Sequence, residues 1–148
     1  IAEGELDYLV GFEPVETARA RNLLNAKSVV IMNCEKVLPF VLAQNAVNKG
    51  SQDSSEYPDL LLLQESIEEI TPHFYAFNAT QLAEASGSKK SINMVMLGAL
   101  MSTSDFKPHL DFFWTTLAKM MPPSMREKNV GPFLQGHQKM AQLLLGVA

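Results

Sequence analysis

Three polar residues stand directly after segments that read as strands: Glu13, Asn33 and Asn78. In open α/β sheets, ligands bind at the carboxyl ends of the strands. These residues, with Phe12 beside Glu13, are therefore candidates for a pocket that holds part of a coenzyme or a partner's loop. The competing reading is structural, in which each caps a helix or satisfies loop backbone. Asn78, followed by Ala-Thr-Gln81, fits the cap. For Glu13 and Asn33 both readings stand. Asn93 lies in an apolar run, where it is either a ligand contact or an amide bonded to neighbouring backbone in the core, and the second is expected.

Other chemistries find little support. Cys34 follows a strand, but Glu35 beside it would raise its pKa and only Lys36 opposes that effect, so a structural cysteine is expected. His73, His109 and His137 lack zinc-ligand spacing. There is no Gly-x-Ser-x-Gly elbow and no glycine-rich phosphate loop. No catalytic residue and no metal ligand is assigned. With Cys34 the sole cysteine, neither an intramolecular disulfide nor a four-cysteine iron–sulfur site can form within the 148 residues.

The elements that must position these residues follow from periodicity and punctuation. Residues 6–12 read as a strand, closed by Gly11-Phe-Glu-Pro14, with Pro14 in the first turn of a helix over 15–24. Residues 28–32 are β-branched and apolar on both faces, as in a covered parallel strand. Residues 34–56 read as a long loop. Pro58 opens a helix whose Leu60, Leu63, Ile67 and Ile70 form one stripe, and Pro72 stops it. Residues 73–77 are the third strand, and a helix from Asn78 to about Ser86 ends at Gly87. Ser91 is expected to cap an apolar helix over 92–101. Pro108 opens another, with Leu110, Phe113, Leu117 and Met120 on one face, which Pro122-Pro123 ends. A last helix runs over about 130–145 with Phe133, Met140 and Leu144 inward. Met94, Met96 and Met101 are expected as core or interface filler.

This order implies an α/β fold: a Rossmann-like three-layer sandwich with a mostly parallel sheet, in a single domain spanning 1–148. Three strands are few for such a sheet, so the pattern reads as incomplete. Hydrophobic residues at 47% and charged residues at 19% suit a globular core. A net charge of −4 without a basic cluster argues against nucleic-acid binding. No run approaches the roughly 20 apolar residues of a membrane helix. A lone cysteine and no leader-like segment fit a cytoplasmic setting.

Read together, several segments resemble one family. Residues 3–16, with Gly11-Phe-Glu-Pro14, look like a family strand that ends in Gly-Phe-Glu before a helix. Residues 28–33 are similar to its next strand, ending in Asn, and residues 37–42 to its Pro-containing crossover. Asn78-Ala-Thr-Gln-Leu-Ala83 with Gly87, then Asn93-Met-Val-Met-Leu-Gly-Ala-Leu100, resembles the family's most recognisable stretch. Asn129, Phe133 and Gly136 match the spacing of its terminal helix motif. The family is the gamma subunit, or gamma domain, of 2-oxoacid:ferredoxin oxidoreductases, and the likeness is to its C-terminal part.

The departures are specific. Gamma domains of this family begin with a strand and a Gly-x-Gly-Gly-Gln-Gly loop, which this sequence lacks, so either the chain is a fragment without the first strands or the missing half is supplied otherwise. The insert over 44–55 is unlike a tight crossover, and Pro132 replaces a residue that is usually small. The resemblance implies a non-catalytic component of a complex that converts a 2-oxoacid and coenzyme A to acyl-CoA and carbon dioxide, passing electrons to ferredoxin. Thiamine diphosphate, Mg and iron–sulfur clusters would sit in catalytic alpha and beta, and ferredoxin-like, partner subunits. Coenzyme A would be contacted at most in part, and a homo-oligomer could form when the chain is isolated. The rival readings are an independent Rossmann-like nucleotide or coenzyme binder, and a stand-alone scaffold.

Overall fold

The computed structural model describes residues 1–35 and 58–146. The expected crossover over 37–42 and insert over 44–55 lie outside the described residues. The strands are β1 (Leu6–Gly11), β2 (Leu24–Asn33) and β3 (Phe74–Phe77), in a parallel sheet of order β1-β2-β3. The expected α/β, Rossmann-like class therefore holds. Val30, Ile31 and Met32 are fully buried, as a covered central strand requires. Two compact units divide the chain, Ile1–Phe74 and Tyr75–Ala148, and β3 begins in the first and continues in the second.

In the first unit β2 starts earlier than the sequence predicts. The expected helix over 15–24 is shorter: α1 covers Pro14–Arg19, a 3-10 turn covers Arg21–Leu23, and Leu24 already belongs to β2. The pairing with β1 is irregular there, with Leu6 opposite Leu24 but Tyr8 opposite Val29. Polar side chains close the widened stretch. Asn25 Oδ1 accepts from Lys27 N–H at 2.8 Å, Ser28 Oγ accepts from Asn25 N–H at 2.8 Å, and Asn25 Nδ2 donates to the Gly4 carbonyl at 2.8 Å. Such local side-chain bonds hold residues 25–28 in extended backbone, so the strand starts at Leu24.

Helix α2 (Leu60–Glu68) starts on Asp59, whose side chain accepts from Leu61 N–H at 3.0 Å. Its expected stripe is found: Ile67 is buried and Leu60, Leu63 and Ile70 are half-buried, while Leu61 and Leu62 are exposed. The buried Thr71 then ties the approach to β3 onto β2. Its hydroxyl donates to the Ser28 carbonyl at 2.6 Å and accepts from His73 N–H at 3.1 Å, and Val30 N–H reaches the His73 carbonyl at 2.9 Å.

The second unit is helical beyond β3: α3 (Ala79–Ala85), α4 (Ile92–Leu100), α5 (Leu110–Met120) and α6 (Pro123–Leu144). Helix α6 begins seven residues before the expected start near 130, because Pro123 at its N-terminus needs no hydrogen-bond partner and pre-sets the helical φ. It continues through Pro132. Helix α4 crosses α6 by way of two glycines. A Cβ on Gly98 would lie 2.0 Å from the Phe133 carbonyl oxygen, and one on Gly136 would lie 1.8 Å from the Val95 carbonyl oxygen. Around the crossing, Met94, Met101 and Phe133 form a core against which Leu97, Phe106, Leu110, Phe113, Trp114 and Leu117 pack. Met94, Met96 and Met101 are core residues, as expected. Met120 is not on the buried face of α5; it is 78% exposed, and Leu144 is exposed too. Met120 is the last residue of α5 and Leu144 the last of α6.

Candidate functional site

In the first unit the ends of β1 and β2 bring three of the candidate residues together. β1 stops at Gly11, and a Cβ there would overlap the Thr17 side chain, at 1.9 Å from its Oγ1. Glycine thus lets α1 close onto the strand end. Thr17 is buried and donates to the Glu13 carbonyl at 2.6 Å. Glu13 is the N-cap of α1, and its carboxylate accepts from Glu16 N–H at 2.9 Å. A carboxylate there also meets the positive end of the helix. Asn33, buried at the end of β2, donates through Nδ2 to the Phe12 carbonyl at 3.1 Å. Its Oδ1 accepts from Glu35 N–H at 3.4 Å. The open question for Glu13 and Asn33 thus has a structural component in both cases: one caps a helix, the other laces two strand ends.

Phe12 differs. Its backbone is held by Asn33, yet the residue is 46% exposed, so an aromatic ring stands at the carboxyl edge of the sheet. Cys34 follows at the same edge, half-buried, and burial pushes its thiol pKa up. Such a thiol is poorly ionised at neutral pH and is a weak nucleophile. The structure therefore supports the structural reading of this cysteine.

Asn78 and Asn93 belong to the second unit. Asn78 caps α3, with Oδ1 accepting from Gln81 N–H at 2.8 Å, and Gly87 past the helix end has φ of +100°. Both ends of α3 were readable in the sequence. Asn93 corrects an expectation. It is exposed on α4 rather than set in the core, and its Oδ1 accepts from Met94 N–H at 3.0 Å. The run is apolar nearly all round, but a helix placed at the edge of a bundle still leaves one stripe to solvent, and the amide occupies it. Ser91 also departs from expectation. It stands at the N-cap position of α4 without a side-chain cap bond, and its hydroxyl reaches Asn129 Oδ1 at 3.4 Å instead.

Sequence reasoning missed His137. It lies on α6 beside the glycine crossing, and its Nε2 is buried without a hydrogen-bond partner among the described residues. Burial, and then the charge of Lys107, lower its pKa. Ser102 donates to its carbonyl at 2.7 Å. No spacing signal could have found it, since Lys107 and Ser102 are distant in sequence. Among the described residues no group of three or more His, Cys, Asp or Glu could hold a metal, and no helix is long and apolar enough to cross a membrane.

The chain was compared with known proteins. The chain is 30% identical over 136 residues to indolepyruvate oxidoreductase subunit IorB of Methanothermobacter thermautotrophicus, which covers 92% of this chain and 65% of that one. It is 32% identical over 100 residues to the subunit of the same name from Archaeoglobus fulgidus, covering 68% and 46% respectively. It is 29% identical over 148 residues to that of Thermococcus kodakarensis, covering 99% and 69%. The chain thus spans about two thirds or less of the length of the first two relatives. Residues 1–139, which hold both the β1–β2 edge and the glycine crossing, match the family described as Pyruvate ferredoxin/flavodoxin oxidoreductase, and the chain belongs to that family.

Proposed function

We propose that this chain is the non-catalytic gamma-type component of a 2-oxoacid:ferredoxin oxidoreductase complex. The observation that carries the reading is the family match over residues 1–139. The relatives are subunits of indolepyruvate oxidoreductases, so an aryl 2-oxoacid is the first substrate to test. In the complex, a 2-oxoacid and coenzyme A yield acyl-CoA and carbon dioxide, and two electrons pass to ferredoxin. Thiamine diphosphate would stabilise the carbanion left by decarboxylation, and iron–sulfur clusters would carry the electrons. A single cysteine does not fit cluster ligation by this chain, so the clusters are assigned to partner subunits; the resemblance implies the same for thiamine diphosphate, with the complex in the cytoplasm.

The chain's own polar residues support a scaffolding role. Glu13, Asn33 and Asn78 each bond backbone of their own unit. Phe12 is the residue at the β1–β2 edge whose side chain is offered outward, and a coenzyme A contact, if the complex makes one here, would use its ring. The test is co-expression with the catalytic subunits of such a complex, followed by purification through a tag on this chain. Recovery of a complex that reduces a viologen dye when given a 2-oxoacid and coenzyme A supports the reading. A chain that elutes alone, or that binds a nicotinamide or flavin tightly, overturns it.

A further inference from the structure

The second unit carries a surface groove of about 180 Å³ lined by Leu110, Asp111, Trp114, Val130, Phe133 and Leu134. Its floor is the aromatic pair Trp114–Phe133, with ring centroids 5.0 Å apart. Its wall on α6 is exposed apolar surface, with Leu134 57% and Val130 38% accessible. At the rim is one charge, Asp111, whose carboxylate has no hydrogen-bond or ion-pair partner among the described residues. The groove is smaller than the roughly 300–1,000 Å³ of sites that enclose a coenzyme or drug-sized ligand. It has the size of one large side chain. Apolar walls with a single carboxylate at the lip suit an occupant with an apolar stem and a cationic, hydrogen-bonding head.

We propose that this groove is a docking pocket for an arginine side chain of another subunit of the oxidoreductase complex. The stem would lie along Leu110, Val130 and Leu134, and the guanidinium would meet Asp111 next to the Trp114 ring. Arginine suits this pocket because its planar head pairs with carboxylates and stacks on aromatic rings. Buried arginines and aromatics also dominate the energetics of protein interfaces. The inference rests on the proposed role in a complex. A structural use of Asp111 at the N-terminus of α5 accounts for its charge but not for the exposed apolar wall opposite.

The test uses the co-expressed complex. Asp111→Asn should weaken capture of the partner about tenfold or more at low salt, and the difference should shrink as salt rises. Asp111→Glu should keep most of the capture, and Leu134→Lys, which sets a like charge against the guanidinium, should abolish it. Glu65→Gln, the same charge change on α2 of the first unit, should leave it intact. Circular dichroism should show each variant folded; position 134 is exposed enough to take the change. A photo-cross-linker at position 134 should label the partner subunit, in a peptide containing arginine. Wild-type levels of capture by Asp111→Asn and Leu134→Lys, in a complex that still assembles, overturn the pocket and leave the proposed function standing. A salt-independent effect of Asp111→Asn, or cross-linking only to a second copy of this chain, also overturns it. Failure of the wild-type chain to assemble overturns both.

Discussion

The glycine crossing of α4 and α6 makes a sharp prediction, because helix propensity and packing pull in opposite directions there. Replacing a helical glycine with alanine ordinarily stabilises by about 1 kcal/mol. At Gly136 the new Cβ would sit 1.8 Å from the Val95 oxygen, 2.6 Å from its carbonyl carbon and 2.9 Å from its Cα. Reaching ordinary contact requires the helices to part by roughly 1.5 Å, and a gap of even half that forfeits a quarter to a half of each neighbouring dispersion contact. Overpacking of this kind costs about 1–3 kcal/mol and sometimes more. With Met94, Met96, Val95 and Phe133 all buried at the crossing, the upper end applies. Gly136→Ala should therefore lose about 2 kcal/mol net, or roughly 4–8 °C in melting temperature for a chain of this size. Gly98→Ala should behave alike, since its Cβ meets the Phe133 carbonyl. Gly131 is the control: its Cβ would meet only Ser86 Cβ at 3.8 Å. There the helical gain is offset by crowding against the ring of Pro132, so Gly131→Ala should shift stability by less than about 1 kcal/mol. Thermal and urea unfolding followed by circular dichroism decide the matter. If Gly136→Ala melts at or above the wild type, the close backbone approach is not what the fold depends on, and the reasoning fails.

Three further outcomes follow from the hydrogen bonds and from His137. Thr71→Val should cost about 1–3 kcal/mol, since it leaves the buried Ser28 carbonyl without the Thr71 hydroxyl and takes away the acceptor of the part-buried His73 N–H; Thr71→Ser should recover most of the loss in the same urea titration. Asn78→Ala should cost about 1 kcal/mol through loss of the α3 cap, and Asn78→Asp should retain most of that stability. His137 has a folded pKa below its unfolded value, so the unfolded chain takes up more protons as pH falls. Its share of stability is complete above about pH 6.5 and declines as pH drops from there through the lowered folded value. Denaturation midpoints between pH 7.5 and 5 should fall less steeply for His137→Gln than for the wild type, and equal slopes would show that the imidazole is not responsible.

Local signals in the sequence placed the features that local chemistry decides. Pro14 after Gly11-Phe-Glu fixed the start of α1, Asn78 and Gly87 bracketed α3, and the stripe of Leu60, Leu63 and Ile67 turned inward as its spacing required. The start of β2 was not legible, because Asn25 and Ser28 act through bonds to one another and to the Gly4 segment. Two adjacent prolines read as the end of α5 but not as the beginning of α6, though the same residue type serves both. Asn93 was misplaced because periodicity in a nearly uniform apolar helix cannot say which stripe faces out. Of the candidate site, the sequence placed the residues at the strand ends, whereas the tie from Asn33 to Phe12 and the groove beside Asp111 exist only once distant segments meet.

The crossing of α4 and α6 also constrains how this chain can change. A clash against a side chain can be relieved by trimming that side chain elsewhere in the sequence. At Gly98 and Gly136 the obstacle is a main-chain carbonyl, which every amino acid carries. No second substitution at Phe133 or Val95 can remove it, so a library of suppressors screened against Gly136→Ala should return reversion to glycine or changes that bend a helix, and few compensating partners.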